Sequence, residues 1–348
     1  MICAVILQIL QLKFQMSNRI IAASLHLNKG DTVMRHLFLV NPAAGKADCT
    51  SAIQDIAQSI SQAHGDPCSI QISNAPGDIT RLANDAGASG EETRLYACGG
   101  DGTLNEAAAG ARGYDNLSLT CIPMGSGNDF VRYFPGRDLF YHPENFSEVS
   151  ERRIDLMDVN GRCCIGICSA GFDARIGTDI NAYRRHPLLG GSRAYTASIV
   201  INFLKGIVKP CQIELADGTL IDEDLTLCCI CNASWYGGGY NPVPEADMTD
   251  GLLDVLAVKK VSRLTVARVI SAYQKGLYQD YPELISHYRT NRLHITTPAK
   301  EPVNIDGELL ITDDFYVELQ PKALRFFAPK GVWESKDDCP ESGLLSHL

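Results

Sequence analysis

"YACGGDGTLNEAAAG", residues 96–110, decides how the rest of the chain is read. An apolar run ends at Gly99-Gly100, Asp101 follows, and beyond Gly102 and Thr103 comes a run of leucine, glutamate and alanine. Those last residues favour helix, and the glycines allow the tight turn that must precede it. The stretch predicts strand, turn and helix in direct succession. A glycine turn leaves no side chain in a ligand's way, and a helix N-terminus offers backbone N–H groups to an anion. An acid is out of place against bare phosphate. Asp101 therefore has two readings: a helix N-cap, or a carboxylate that faces a metal ion or an attacking hydroxyl.

Working outward, "HLFLVNPAAGK" (36–46) reads as a buried strand that ends in a small-residue turn. Residues 48–63 carry apolar positions at 53, 56, 57 and 60, the spacing of one helix face. "SIQIS" (69–73) predicts a strand, "GDITRLANDAGA" (77–88) a helix, and "LSLTCIPMGSGNDFVRYF" (117–134) a strand, a loop and a helix start. Repeated strand–helix alternation implies a parallel sheet with helices on both faces, a doubly wound α/β domain. Ligands of such sheets bind at the carboxyl ends of the strands. Three small-residue loops, at 41–46, 98–103 and 123–129, fall at such ends. Neither GxxxxGKS nor GxGxxG occurs, so a P-loop NTPase and a Rossmann dehydrogenase are not supported.

After about residue 150 the texture changes to short Val-, Ile-, Leu- and Cys-rich runs between Gly, Asp and Asn, which predict an antiparallel β domain. Helices are expected within it at about 191–208 and 262–277. Acids gather in "PEADMTDGLLD" (244–254) and "NIDGE" (304–308); each Asp-Gly also predicts a hairpin turn. The expected organisation is an extension at 1–33, an α/β domain at 34–150, a β domain at 151–330 whose last strand can return to the first domain, and a disordered tail at 331–348.

The 348 residues carry a formal charge of −10, which disfavours broad nucleic-acid binding. Thirteen cysteines lack zinc-site spacing and suit buried, reduced thiols in a cytoplasmic protein. The apolar start, residues 2–12, is too short to span a bilayer and lacks the basic flank of a secretory signal. It is expected to be dispensable, with an interfacial anchor helix as the alternative.

Five blocks in order resemble the diacylglycerol kinase catalytic domain family, which includes sphingosine and ceramide kinases. They are Asn41-Pro42 with Gly45, Gly99 to Thr103 with Asn105-Glu106, Pro123 to Asp129, Pro244 to Gly251, and Asp306-Gly307-Glu308. The likeness spans roughly 34–330 and is strongest to bacterial members with a nucleotide-binding α/β domain followed by a β-sandwich. It implies an ATP- and Mg²⁺-dependent lipid kinase that phosphorylates a lipid hydroxyl, with diacylglycerol converted to phosphatidic acid as the foremost reaction. The ATP site it implies comprises Asn41, Pro42, Ala43, Ala44, Gly45, Ser73, Gly99, Gly100, Gly102, Thr103, Leu104, Asn105, Glu106, Gly125, Ser126, Asn128 and Asp129. Asp250 would bind a structural Mg²⁺ beside the carbonyls of Asp247 and Leu252. Glu308, Asp101 and Asp306 are the catalytic candidates; which of them takes the proton stays open. Ser126 departs from the threonine of many relatives but keeps the hydroxyl.

Two stretches combine cations with apolar residues. One is 183–195, with Arg184, Arg185, Leu188, Leu189 and Arg193, and the other is 258–278. The first is expected to touch the inner membrane face; the apolar face of the second is expected to be core. A homodimer stays open, since no segment announces an interface. Two rivals remain: an NAD kinase, whose family also uses GGDGT, and a catalytically silent lipid-binding protein on the same fold.

Overall fold

In a computed structural model, the protein is described over residues 34–44, 50–125, 127–171 and 209–334. The 1–33 extension, Gly45, Ser126, the 183–195 stretch, the 191–208 helix and residues 335–348 of the expected disordered tail lie outside the described residues. The first residues of that tail are instead packed, with Val332 buried and Trp333 against Phe134.

The chain opens on β1 (Arg35–Val40), buried from His36 on, as a strand covered on both faces requires. α1 (Thr50–His64) buries Ile53, Ile56, Ala57 and Ile60, the face its periodicity named. β2 (Cys68–Ile72), α2 (Asp78–Ala88), β3 (Thr93–Gly99), α3 (Asp101–Ala111) and β4 (Leu117–Pro123) follow. β2, β1, β3 and β4 lie side by side and parallel. The helix start expected after "GSGND" is only a 3₁₀ turn, Phe130–Tyr133. Pro135 explains this, because the residue before a proline is driven out of the helical region, and Phe134 is extended (φ −86°, ψ 133°).

The second half is antiparallel, as its short apolar runs predict. It comprises β5 (Val149–Val159), β6 (Arg162–Cys164), β7 (Ile167–Gly171), β8 (Lys209–Leu215), β9 (Leu220–Cys231), β10 (Leu253–Lys259), α4 (Arg263–Gln274), β11 (Ile285–Thr290), β12 (Arg292–Ile305) and β13 (Glu308–Pro329). Hydrogen bonding runs unbroken in the order β11-β10-β9-β7-β12-β13-β4-β3-β1-β2.

β13 is the joint. Its first half pairs with β12, its second half pairs with β5, and Arg325 and Phe326 run parallel to Ser118 and Leu119 of β4. "FYVELQ" and "ALRFFAP" are thus one 22-residue strand with an irregularity between Gln320 and Leu324. Asp155 holds that irregularity: one carboxylate oxygen accepts Lys322 N–H at 2.6 Å and the other accepts Gly251 N–H at 2.9 Å. The ten described cysteines are all free, and nine are buried. No described helix is long and apolar enough to cross a membrane.

Candidate active site

The loops at the carboxyl ends of β1, β3 and β4 meet. Asn41 donates its backbone N–H to Cys98 O and its amide to Thr103 Oγ1, both at 3.0 Å, which ties the β1 loop to α3. Its Oδ1 accepts Ala43 N–H at 3.0 Å and shapes the Asn41–Ala44 turn. Ser73 lies beside them, its N–H donated to Val40 O at 2.9 Å. Gly100 precedes α3 in an extended conformation, and no side chain caps that helix. Thr103 and Leu104 donate their N–H groups to Gly100 O at 3.0 and 3.2 Å, which leaves the N–H groups of Asp101 and Gly102 as those an anion could meet.

The β4 loop closes against this turn through Met124 N–H, which donates to Gly99 O at 2.8 Å. A Cβ on Gly125 would stand 2.5 Å from Gly100 Cα, so only glycine permits the approach. Asn128, at φ 51°, accepts Gly125 N–H and donates to Gly125 O, at 2.9 and 3.0 Å. Glu106 points elsewhere: its carboxylate accepts Gly77 N–H at 3.1 Å, just ahead of α2.

Three acids, Asp101 and Asp129 from the first half and Asp306 from the second, face one space, and Glu308 lies on the nearby hairpin. Asp101 accepts Phe130 N–H on one oxygen at 3.0 Å. It is not capping its own helix, which sets aside the N-cap reading. Asp129 accepts Gly238 N–H at 2.6 Å and has Arg132 at 3.2 Å from its other oxygen. Burial raises the Asp129 carboxyl above the usual carboxylate range; the Asp101 charge adds to the rise, and the Gly238 N–H and Arg132 oppose it.

Asp306 sits in the left-handed region, φ 47°, at the β12–β13 hairpin. Its carboxylate accepts the N–H groups of Ile165, Gly166 and Ile167 at 2.6, 3.1 and 2.9 Å. Burial still raises it, since desolvation outweighs these bonds. The Asn105 amide nitrogen, in the orientation that suits its neighbours, reaches Asp306 Oδ2 and Cys163 O at 3.3 Å each. Glu308 is exposed, opposite Ile305 across the hairpin.

These groups border a cavity of about 530 Å³. Asp101, Asp129, Asp306 and Gly307 contribute to its wall, whereas Glu308 does not. Much of the remainder is apolar, with Val258, Val261, Val266, Val269 and Ile270 in the lining. Trp235 to Gly238 and Tyr240 also line it, and the 235–240 loop is held to the α/β half by the Asp129–Gly238 bond and by Arg132 over Trp235 at 5.7 Å. Sequence reasoning missed this loop, although three consecutive glycines between tyrosines were visible.

In the expected metal turn the two aspartate side chains have protein partners. Asp250 accepts Leu252 N–H at 2.9 Å on one oxygen and pairs with Arg289 through the other. Asp247 accepts the N–H and hydroxyl of Thr249 at 2.9 and 2.8 Å, and Tyr133 OH at 3.3 Å. Among the described residues no group of three or more His, Cys, Asp and Glu is arranged to hold a metal ion. The donors are of the oxygen type that suits Mg²⁺, and Arg289 already pairs with one of the two Asp250 oxygens.

A doubly wound α/β half whose α3 helix has no side-chain cap is joined to a β half with a largely apolar cavity. Comparison with known proteins names both halves. Residues 35–159 match the diacylglycerol kinase catalytic domain, and residues 166–328 match the YegS C-terminal NAD kinase beta sandwich-like domain. The chain carries a diacylglycerol kinase catalytic domain followed by a YegS-like C-terminal domain, and it is a kinase. The diacylglycerol kinase of Bacillus subtilis (strain 168) is 28% identical over 283 residues, covering 79% of this chain and 89% of that protein. A "Probable lipid kinase YegS-like" protein of Shewanella frigidimarina is 28% identical over 290 residues, with 79% and 89% covered. The crystal structure of a diacylglycerol kinase from Bacillus anthracis str. Sterne shares the fold, with a TM-score of 0.63 at 21% identity over 88% of this chain and 100% of that one.

Proposed function

We propose that the protein transfers the γ-phosphate of ATP to a lipid hydroxyl, with diacylglycerol as acceptor and phosphatidic acid as product, in phospholipid metabolism at the inner membrane face. The observation that carries this reading is the cavity: its wall combines Asp101, beside the phosphate loops, with the valines and isoleucine of the β half. A hydroxyl with a hydrocarbon tail matches that combination; the charged, polar NAD molecule does not. The names of the relatives support the same acceptor class.

ATP phosphates would lie against the N–H groups at Gly100 and the start of α3, with Asn41, Thr103 and Gly125 shaping the loops around them. Mg²⁺ accompanying ATP would neutralise part of the phosphate charge. Asp101 keeps one oxygen beyond its bond to Phe130 N–H, and Glu308 is exposed at the hairpin; these two are the carboxylates able to accept the hydroxyl proton. Asp306, committed to three N–H groups, positions the 165–167 segment rather than the proton.

Transfer of labelled γ-phosphate to diacylglycerol, ceramide, sphingosine, phosphatidylglycerol and NAD tests the reading. A labelled lipid is expected. Asp101→Ala should lose about 10²–10⁴-fold in turnover if it is the proton acceptor, with its thermal melt nearly unchanged. Label on NAD alone, or lipid binding without turnover, would overturn the assignment.

A further inference from the structure

α4 separates the apolar cavity from the outside. Val266, Val269, Ile270 and Tyr273, at the spacing of one helix face, line the cavity, and Val269 and Tyr273 are also buried, Tyr273 within a core cluster, as the sequence led us to expect. The opposite face carries Leu264, 80% exposed, with Ala267, Arg268, Ser271 and, just past the helix, Lys275 also exposed. Ser262 caps the helix, accepting Thr265 N–H at 3.1 Å, so Leu264 is held on an ordered first turn. Residues 258–278 contain Lys259, Lys260, Arg263, Arg268 and Lys275 and no acid, in a chain of net charge −10. Asp224 pairs with Lys260 at 2.9 Å.

We propose that the outer face of α4 docks on an anionic membrane surface and so brings the cavity to the bilayer that holds its substrate. The proposal rests on the lipid-kinase reading and adds the element that makes contact. A chain this acidic is repelled by an anionic leaflet except where cations gather. Here Arg268 and Lys275 stand exposed on the outer side of the helix whose inner side lines the cavity, beside a leucine held in solvent. A helix with cations and an apolar side chain outward lies in the interface plane without spanning it.

The test is sedimentation of the full chain with phosphatidylcholine vesicles, with and without phosphatidylglycerol, beside turnover of a short-chain lipid dispersed in detergent. Binding is expected only with phosphatidylglycerol, and high salt should weaken it. Arg268→Gln and Lys275→Gln should each lower it roughly fivefold, and Leu264→Gln should lower it further, all with wild-type melting temperatures and unchanged detergent turnover. Equal binding to neutral vesicles, or variants that bind like wild type, would overturn the proposal. So would a wild-type dimer that these substitutions dissociate, because the face would then meet a second copy. Absence of detergent turnover in wild type would instead count against the kinase reading, since vesicle binding is read independently.

Discussion

Asp101, Asp129 and Asp306 are the same residue type in three different electrostatic settings, and the backbone around each decides its use. Three N–H groups converge on Asp306, whereas Asp101 meets one. Asp129 is raised chiefly by burial, so its folded value lies above the unfolded one. The stability tied to it is complete below about pH 4 and is lost as pH rises through the raised value. Asp129→Asn removes that ionisation while keeping an oxygen for Gly238 N–H. The melting temperature of the variant relative to wild type should therefore climb between about pH 4 and neutrality. A constant difference across that range would show that Asp129 titrates alike in both states.

At the scale of elements, β10, β11 and the 247–252 turn are stitched by Arg289, which pairs with Asp250 and, at 3.3 Å, with Asp254. Asp254 is almost fully buried and also meets His287 at 2.7 Å. Removing a partner from a buried carboxylate is costly, but Arg289 is itself 45% exposed, so water screens the loss. Arg289→Ala should cost about 1–2 kcal/mol, or a few degrees of melting temperature. Mg²⁺ should recover part of this in the variant and leave the wild-type melt where it was. A Mg²⁺-dependent rise in wild type would return the turn to the role that the family resemblance implies.

For the whole molecule, β13 makes two halves into one folding unit. Phe326, on the strand's second half, is fully buried and packs on Phe130 and Phe134 at 5.3 and 5.7 Å between ring centres. The strand's first half pairs along β12 in the other half. Phe326→Ala should cost about 3–5 kcal/mol. The two tryptophans report on separate regions: Trp333 packs on Phe134, and Trp235 lies in the cavity loop. Followed in variants that retain one tryptophan each, both should unfold in a single transition, and Phe326→Ala should lower the two equally. Separate transitions, with only the Trp333 signal shifted, would make the halves independent.

Periodicity and turn chemistry are local properties, and what depends on them was legible in the sequence. The alternation of strands and helices, the face of α1 at Ile53, Ile56, Ala57 and Ile60, the meeting of three small-residue loops, and the antiparallel second half all follow from side-chain spacing and glycine. Asp101 was legible as an acid with work to do, because an acid in a phosphate turn conflicts with the turn's own chemistry. Only the tertiary structure decided which partners long-range folding would bring. It set Asp306 against the N–H groups of 165–167, Arg289 against Asp250, Asp155 against both Gly251 and Lys322, and the inner face of α4 against a cavity as well as core. An amphipathic stripe records that a face avoids water, not whether protein or a ligand covers it. A carboxylate's role depends on donors dozens of residues away, and no local pattern encodes those.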